Sequence, residues 1–87
     1  MEKTDARKLA CSLVVKQLRE ERERQKISMT VLAQKAGLAQ ATISFVEREL
    51  RNPTLDTLYR IAGVLDVDLG KIVSEAARMA KLPGGRR

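Results

Sequence analysis

The sequence has little of what enzymes and metal proteins use. Its 87 residues contain no histidine, no tryptophan and one cysteine, Cys11. One cysteine without histidine cannot form a metal-ligand cluster or an intrachain disulfide. No glycine-rich phosphate loop is present, and no nucleophile has an evident base beside it. We therefore expect a non-enzyme with no metal, no cofactor and no small-molecule ligand, in which Cys11 has a packing role.

Long apolar runs are also missing. No segment approaches the roughly 20 apolar residues that a membrane-spanning helix needs. One Phe and one Tyr are too few aromatic anchors for a helix that lies on a membrane surface. There is no apolar signal segment at the N-terminus, and a lone cysteine fits a reducing compartment. These features predict a cytoplasmic protein with no membrane role.

Positive charge is in excess, because 17 Lys and Arg stand against 11 Asp and Glu and give a net charge of +6. A polyanionic partner fits this excess, although a solubilising surface charge explains it equally well. The charged run 19–26 also contains three Glu, which is typical of a solvated helix face with i,i+4 pairs. Charge alone does not decide the function.

Apolar residues recur at helical spacing and never alternate over a β-branched run, which predicts an all-α fold of five helices. Helix 1 is long, about 20 residues. Ser28, Thr54 and Asp68 are suitable N-caps for helices 2, 4 and 5, and Gly37 and Asp66 suit the ends of helices 2 and 4. Helix 3 is expected over about 40–48. We expect one domain over 1–82 and a disordered tail over 83–87.

The predicted core consists of one apolar stripe per helix. The expected inward residues are Leu9, Leu13, Val14 and Leu18 on helix 1; Met29, Leu32, Ala33 and Ala36 on helix 2; Ile43 and Val46 on helix 3; Leu55, Leu58, Ile61, Ala62 and Leu65 on helix 4; and Leu69, Ile72, Val73, Ala76 and Ala80 on helix 5.

Residues 27–55 contain the strongest functional signal. A helix-turn-helix needs a small residue where the helices cross, a turn residue that tolerates positive φ, and an inward apolar residue after it. Ala33, Gly37 and Leu38 meet these needs in order. With Ile43 and Val46 turned inward, the opposite face of helix 3 is free to enter a major groove.

This segment resembles the Cro/C1-type helix-turn-helix family, or XRE family, which includes phage repressors and restriction-modification controller proteins. The resemblance covers about 14–73. Its motifs are Leu32-Ala33, Gly37-Leu38, Ile43-Ser44 followed by Glu47-Arg48, Asn52-Pro53, and Leu55, Leu58, Ala62 and Leu65. It implies a compact five-helix, lambda-repressor-like DNA-binding domain with the helix-turn-helix at helices 2 and 3, acting as a transcriptional regulator such as a repressor.

Three residues depart from the family pattern. Met29 replaces a frequent Gln that touches the DNA backbone, Ala39 replaces the usual Ser or Thr cap of the recognition helix, and Glu49 replaces a common Gly. Loss of a cap costs about 1 kcal/mol, which packing through Ile43 can offset. A non-glycine residue at position 49 must adopt the left-handed region or shift the loop.

The candidate DNA contacts fall into two groups. Gln40, Ala41, Ser44 and Phe45 are the expected base contacts, and Ser28, Met29, Thr42, Arg48, Arg51 and Asn52 the expected backbone contacts. Gln40 suits a bidentate contact with adenine, against the alternative of a solvated first-turn residue. Phe45 suits a thymine methyl group, but packing against a neighbouring chain or a bent loop is equally compatible with its position.

Two further expectations concern assembly. Glu47 lies on the inward side of helix 3 and needs a cationic partner; Arg22 is expected to form this structural ion pair, and the resemblance implies the same pair. We also expect a homodimer that binds double-stranded DNA at an inverted repeat. Its predicted interface is Gly63, Ile72, Val73, Ala76 and Ala80, with helix 1 as the rival surface.

The main alternative function is a protein-interaction module, such as an antitoxin or accessory subunit, which Phe45 and the apolar helix 5 would suit. RNA binding is a more remote alternative, because stacking aromatics and glycine-rich clamps are missing.

Overall fold

The computed structural model describes residues 3–83, and it contains five α-helices and no strand within that range. The helices are α1 (Lys3–Arg24), α2 (Met29–Ala36), α3 (Gln40–Glu47), α4 (Leu55–Leu65) and α5 (Leu69–Met79). The all-α fold predicted from the sequence is therefore confirmed. Of the tail predicted to be disordered, only Pro83 lies within the described residues.

The predicted N-caps are confirmed. The side-chain oxygens of Ser28, Thr54 and Asp68 each accept a hydrogen bond of 3.1 Å from the backbone N–H three residues later. Each bond satisfies one of the donors that the first turn of a helix leaves without a partner. Helix α3 is different, because Ala39 precedes it and provides no side-chain cap.

Left-handed residues end the helices. Gly37 (φ 71°) and Asp66 (φ 58°) close α2 and α4, as the sequence predicts, and Glu49 (φ 57°) adopts this conformation after α3. Lys26 and Lys81 also have positive φ, which the sequence analysis did not predict. These side chains carry no turn signal of their own, so the helices that they follow impose the conformation.

The core lies where all five helices converge. Leu32, Ile43 and Leu65, from α2, α3 and α4, are its most deeply buried side chains. Helices α1 and α5 pack closely against each other, and Val14, Leu18, Leu69 and Ala76 join the same cluster. No polar or charged residue is buried among the residues whose side chains are described. Helix α3 thus joins the core through its apolar inner face.

Some predicted inward positions are wrong. Leu55 is 63% exposed, because it is the first residue of α4 and the buried residues of that helix begin at Ile61. Leu9 and Val73 are also exposed, at the margins of the α1 and α5 stripes. Val15, which the stripe prediction omitted, is buried.

The packing role expected of Cys11 is wrong, because this side chain is exposed on α1.

Replacing Gly37 and Gly63 by alanine should change the stability of the fold in opposite directions. Gly37→Ala should destabilise the fold by about 1–2 kcal/mol, because an L residue is strained at φ 71°. The new Cβ would also lie 3.1 Å from Arg60 Nη1, which donates a 3.2 Å hydrogen bond to the Ala36 carbonyl. Urea unfolding measures the change.

Gly63→Ala is the matched control. Gly63 lies inside α4 and a Cβ there would meet no atom of the same chain within 4 Å, so alanine should stabilise the protomer by about 0.5–1 kcal/mol at a protein concentration too low for self-association. Equal shifts of the same sign in both variants would contradict this account of the two positions.

Candidate nucleic-acid interface

The ion pair predicted between Arg22 and Glu47 is present. Arg22 lies in the last turn of α1, and its Nε and Nη2 donate to the two carboxylate oxygens of Glu47 at 2.6 and 2.9 Å. Its Nη1 donates to the Ile27 carbonyl at 2.7 Å. One guanidinium therefore joins α1, the connection before α2 and the last residue of α3.

This pair is largely shielded from water, since the Arg22 and Glu47 side chains are only 12% and 11% exposed. The hydrogen bond to Glu47 raises the pKa of the Arg22 guanidinium, and partial burial opposes that rise. Bidentate geometry fixes the orientation of the carboxylate as well as its distance. The pair thus sets where the C-terminal end of α3 lies relative to α1.

The turn between α2 and α3 sets the other end of α3. The Leu38 N–H donates to the Ala33 carbonyl at 2.9 Å, and Gly37 provides the left-handed residue that this hydrogen bond requires. Because Ala39 does not cap α3, the first N–H groups of this helix have no side-chain acceptor. An uncapped helix N-terminus favours an anionic group.

The outward face of α3 is polar and accessible. Ile43 and Val46 are buried, Gln40, Ala41 and Arg48 are exposed, and Ser44 and Thr42 are half-buried. The predicted base-contact and backbone-contact residues of α3 are therefore on the accessible part of this helix. No acidic residue lies in its first turn.

The remaining predicted contacts differ in availability. Arg51 and Asn52 are exposed in the α3–α4 loop. Ser28 is exposed, but its hydroxyl already caps α2. Met29 is half-buried and packs against the core, so less of its side chain is accessible than the backbone-contact prediction assumes.

Phe45 packs against the loop that follows α3. It is half-buried, and the Arg51 guanidinium lies over its ring at 4.8 Å from the centroid. The structure therefore shows one of the alternatives that the sequence left open for Phe45, packing against a bent loop. The contact with a thymine methyl group stays a prediction.

The surface predicted for a dimer is partly used within the chain. Ala76 and Ala80 are each 4% exposed, and Ile72 packs against the core. The small side chains of α5 allow α1 to pack against it, which leaves little of this stripe for a second copy. Gly63 and Val73 are exposed and stay available.

Sequence reasoning missed an exposed apolar set outside α5. Leu50, Leu55 and Tyr59 are 57%, 63% and 61% exposed. Leu55 and Tyr59 are four residues apart on α4, so they occupy one face of that helix. Because Leu55 was predicted to lie in the core, this exposed face of α4 was not predicted. Tyr59, the only tyrosine in the sequence, could have indicated it.

Between residues 3 and 83, no helix is long and apolar enough to cross a membrane. The same part of the chain has no group of three His, Cys, Asp or Glu residues that could hold a metal ion.

Comparison with known proteins gives a family and several relatives. A family model described as helix-turn-helix matches residues 18–72. The immunity repressor protein of Bacillus phage phi105 is 38% identical over 61 residues, which are 70% of this chain and 40% of the repressor. The transcriptional regulator SinR of Bacillus subtilis is 31% identical over 64 residues, 72% of this chain and 58% of SinR. SinR of Bacillus licheniformis matches to the same extent. No solved structure gives a significant match.

Glu47→Gln tests the ion pair. It leaves the Arg22 guanidinium poorly compensated and should lower the free energy of unfolding by more than the roughly 1 kcal/mol of an exposed pair, towards the 3–5 kcal/mol typical of a buried one. Replacing both partners, in Arg22→Met/Glu47→Leu, should recover much of the loss, because no lone charge then remains. Thermal and urea unfolding measure both variants.

The exposed pair Asp56–Arg60 is the control. Its side chains are 74% and 48% exposed, so Asp56→Asn should change stability by less than about 0.5 kcal/mol. If Glu47→Gln were as mild as Asp56→Asn, the proposed anchoring of α3 would be wrong.

Proposed function

Because the chain belongs to the Cro/C1-type helix-turn-helix family, we infer that it binds double-stranded DNA sequence-specifically, as a homodimeric transcriptional regulator. The observation that supports this most is the two-sided geometry of α3. Its inner side is anchored by Ile43, Val46 and the Glu47 ion pair, and its outer side exposes short or polar groups. A helix of this kind can enter the major groove.

Base recognition is assigned to the first turns of α3. Gln40 is exposed at the helix start, where its amide can donate to and accept from one adenine. Ala41 and Ser44 are small enough to let the helix approach the base edges, and Ser44 offers a hydroxyl. Phe45 lies beside them, with one face covered by Arg51.

Backbone anchoring is assigned to the residues around that face. Arg48, Arg51 and Asn52 offer guanidinium and amide donors from the C-terminal end of α3 and the loop after it. Thr42 lies beside Arg51 and Asn52, and Ser28 and Met29 at the start of α2 are the remaining candidates. The uncapped N-terminus of α3 adds backbone N–H donors.

Two copies would bind an inverted repeat. A two-fold dimer on one face of B-DNA places its recognition helices about 34 Å apart, in half-sites one helical turn apart. Repression is the favoured mode of regulation, because the phi105 relative is named an immunity repressor. The chain spans about half the length of these relatives, so further activities of the full proteins are not assigned to it.

The dimer surface is assigned to exposed residues. On α4, Leu55, Tyr59 and Gly63 follow each other at i, i+4 and i+8, and all are exposed. In an isologous contact about Tyr59, Leu55 of one copy would meet Gly63 of the other, so a large side chain opposes a residue without one.

Gln40→Ala should change the sequence specificity of DNA binding, whereas Arg51→Ala should change the affinity for any duplex. On a duplex selected from a random pool, Gln40→Ala should cost roughly 1–3 kcal/mol and relax the preference at one base pair, with little effect on unrelated DNA. Arg51→Ala should weaken binding to every duplex and reduce the salt slope by about one. Titrations at several salt concentrations measure both effects.

Gln17→Ala, on the exposed side of α1 and outside the matched family segment, is the amide control and should bind like the wild type. Equal losses on specific and unrelated duplexes in both site variants would refute the division between base and backbone contacts. Preference of the wild type for single strands or for a protein would refute the proposed function.

Sedimentation tests the dimer. The wild type should sediment as a dimer at concentrations that saturate DNA, and Tyr59→Glu should be monomeric because it places a charge at the centre of the α4 contact. Lys16→Glu, an exposed charge change on α1, should stay dimeric. A monomeric wild type at these concentrations would contradict the dimer, and a dimeric Tyr59→Glu would move its interface away from α4.

A further inference from the structure

The contact between Phe45 and Arg51 connects two different elements. Phe45 belongs to α3, whereas Arg51 belongs to the α3–α4 loop, and the guanidinium lies 4.8 Å from the centre of the ring. Arg51 is exposed, and among the described residues it has no hydrogen bond or ion pair. The ring is therefore its one specific contact within this part of the chain.

The backbone holds these two residues in register. The Leu50 N–H donates to the Phe45 carbonyl at 2.9 Å, and the Glu49 N–H donates to the Val46 carbonyl at 3.0 Å. These two bonds and the left-handed Glu49 turn the chain back along the end of α3. The turn brings Arg51 over a ring that is itself half-buried.

A guanidinium held over a ring keeps the N–H donors that do not face the ring open to a ligand. Those donors are in one plane and match two oxygens of a phosphate. An unstacked arginine would have to lose more side-chain freedom before it could present the same fork. The stacked arrangement is thus pre-organised for an anion with paired oxygens.

The surroundings of this pair fit a phosphate group. Phe45 and Arg51 line a shallow recess of about 160 Å³ together with Thr42, Asn52 and Thr57, and no acidic residue lines it. Pockets for drug-sized ligands are larger, about 300–1,000 Å³. The side chains of Thr42 and Asn52 offer donors that have no hydrogen-bond partner among the described residues.

We propose that Phe45 is a positioning residue: its ring orients the Arg51 guanidinium so that it binds one phosphodiester of duplex DNA in this recess. The inference rests on the proposed function and makes it more specific. It assigns Phe45 a role through Arg51, in place of the contact with a thymine methyl group. Phe45 then contributes to affinity for any duplex and adds no preference for a base.

A double-mutant cycle on an unrelated duplex tests the coupling. Phe45→Leu, which keeps apolar bulk without an aromatic face, should weaken binding about two- to fivefold, the range expected for a surface cation–π contact. Phe45→Tyr keeps the ring and should bind within twofold of the wild type. In an Arg51→Ala background, Phe45→Leu should have no further effect.

Arg51→Lys provides a test that does not depend on changing α3. Lysine keeps the charge but lacks the planar fork, so this variant should lose affinity about as much as Phe45→Leu. Wild-type affinity in Arg51→Lys would overturn the proposal, even if Phe45→Leu failed to fold. A loss in Arg51→Ala confined to one base sequence would assign Arg51 to a base edge and also overturn it.

Deoxyuridine separates the two roles of Phe45, because it lacks only the methyl group of thymine. Replacing each thymine of the selected duplex should leave wild-type affinity unchanged. A loss on one such replacement that disappears in Phe45→Leu, or a full effect of Phe45→Leu in the Arg51→Ala background, would overturn the proposal and leave the proposed function intact. A wild type that binds no duplex would instead overturn both.

Discussion

The position of α3 depends on one guanidinium. Arg22 reaches from α1 to both carboxylate oxygens of Glu47 and to the Ile27 carbonyl, so it fixes α3 relative to α1. Apolar contacts through Ile43 and Val46 hold the buried side of α3. The bidentate ion pair adds a fixed distance and orientation at the C-terminal end of this helix.

Because the inner side of α3 is fixed in the core, its outer side is accessible to a binding partner. The helix has no N-terminal cap, and its exposed side has no acidic residue before Glu47. A cap would have stabilised it by about 1 kcal/mol, and packing within the core takes over that role. The first N–H groups of α3 therefore have no side-chain acceptor, and such a helix N-terminus favours an anionic group.

Features of the fold that depend on neighbouring residues in the sequence could be predicted from it. Helix spacing, the caps at Ser28, Thr54 and Asp68, and the turn at Gly37 follow from local chemistry, and the structure agrees with them. The pair between Arg22 and Glu47 was predictable because a charge on an inward face needs a partner.

Tertiary packing decided the features that local patterns could not. Helical periodicity cannot tell that Ala76 and Ala80 are buried within the chain, nor that the first turn of α4 extends past the core and exposes Leu55. Likewise, the stacking of Arg51 on Phe45 requires the left-handed Glu49, and no propensity places a glutamate there. These positions lie where helices meet or end, so their environment depends on neighbours distant in sequence.

Binding of duplex DNA to the outward face of α3 can be followed residue by residue through amide chemical shifts. A selected duplex of about 20 base pairs would be titrated into the isotope-labelled protein, since two half-sites span roughly that length. We expect the largest shifts in residues 39–45 and at Arg51 and Asn52, while Lys8 and Lys16 on α1 change little. Large shifts confined to α4 and α5, or no shifts with any duplex, would contradict it.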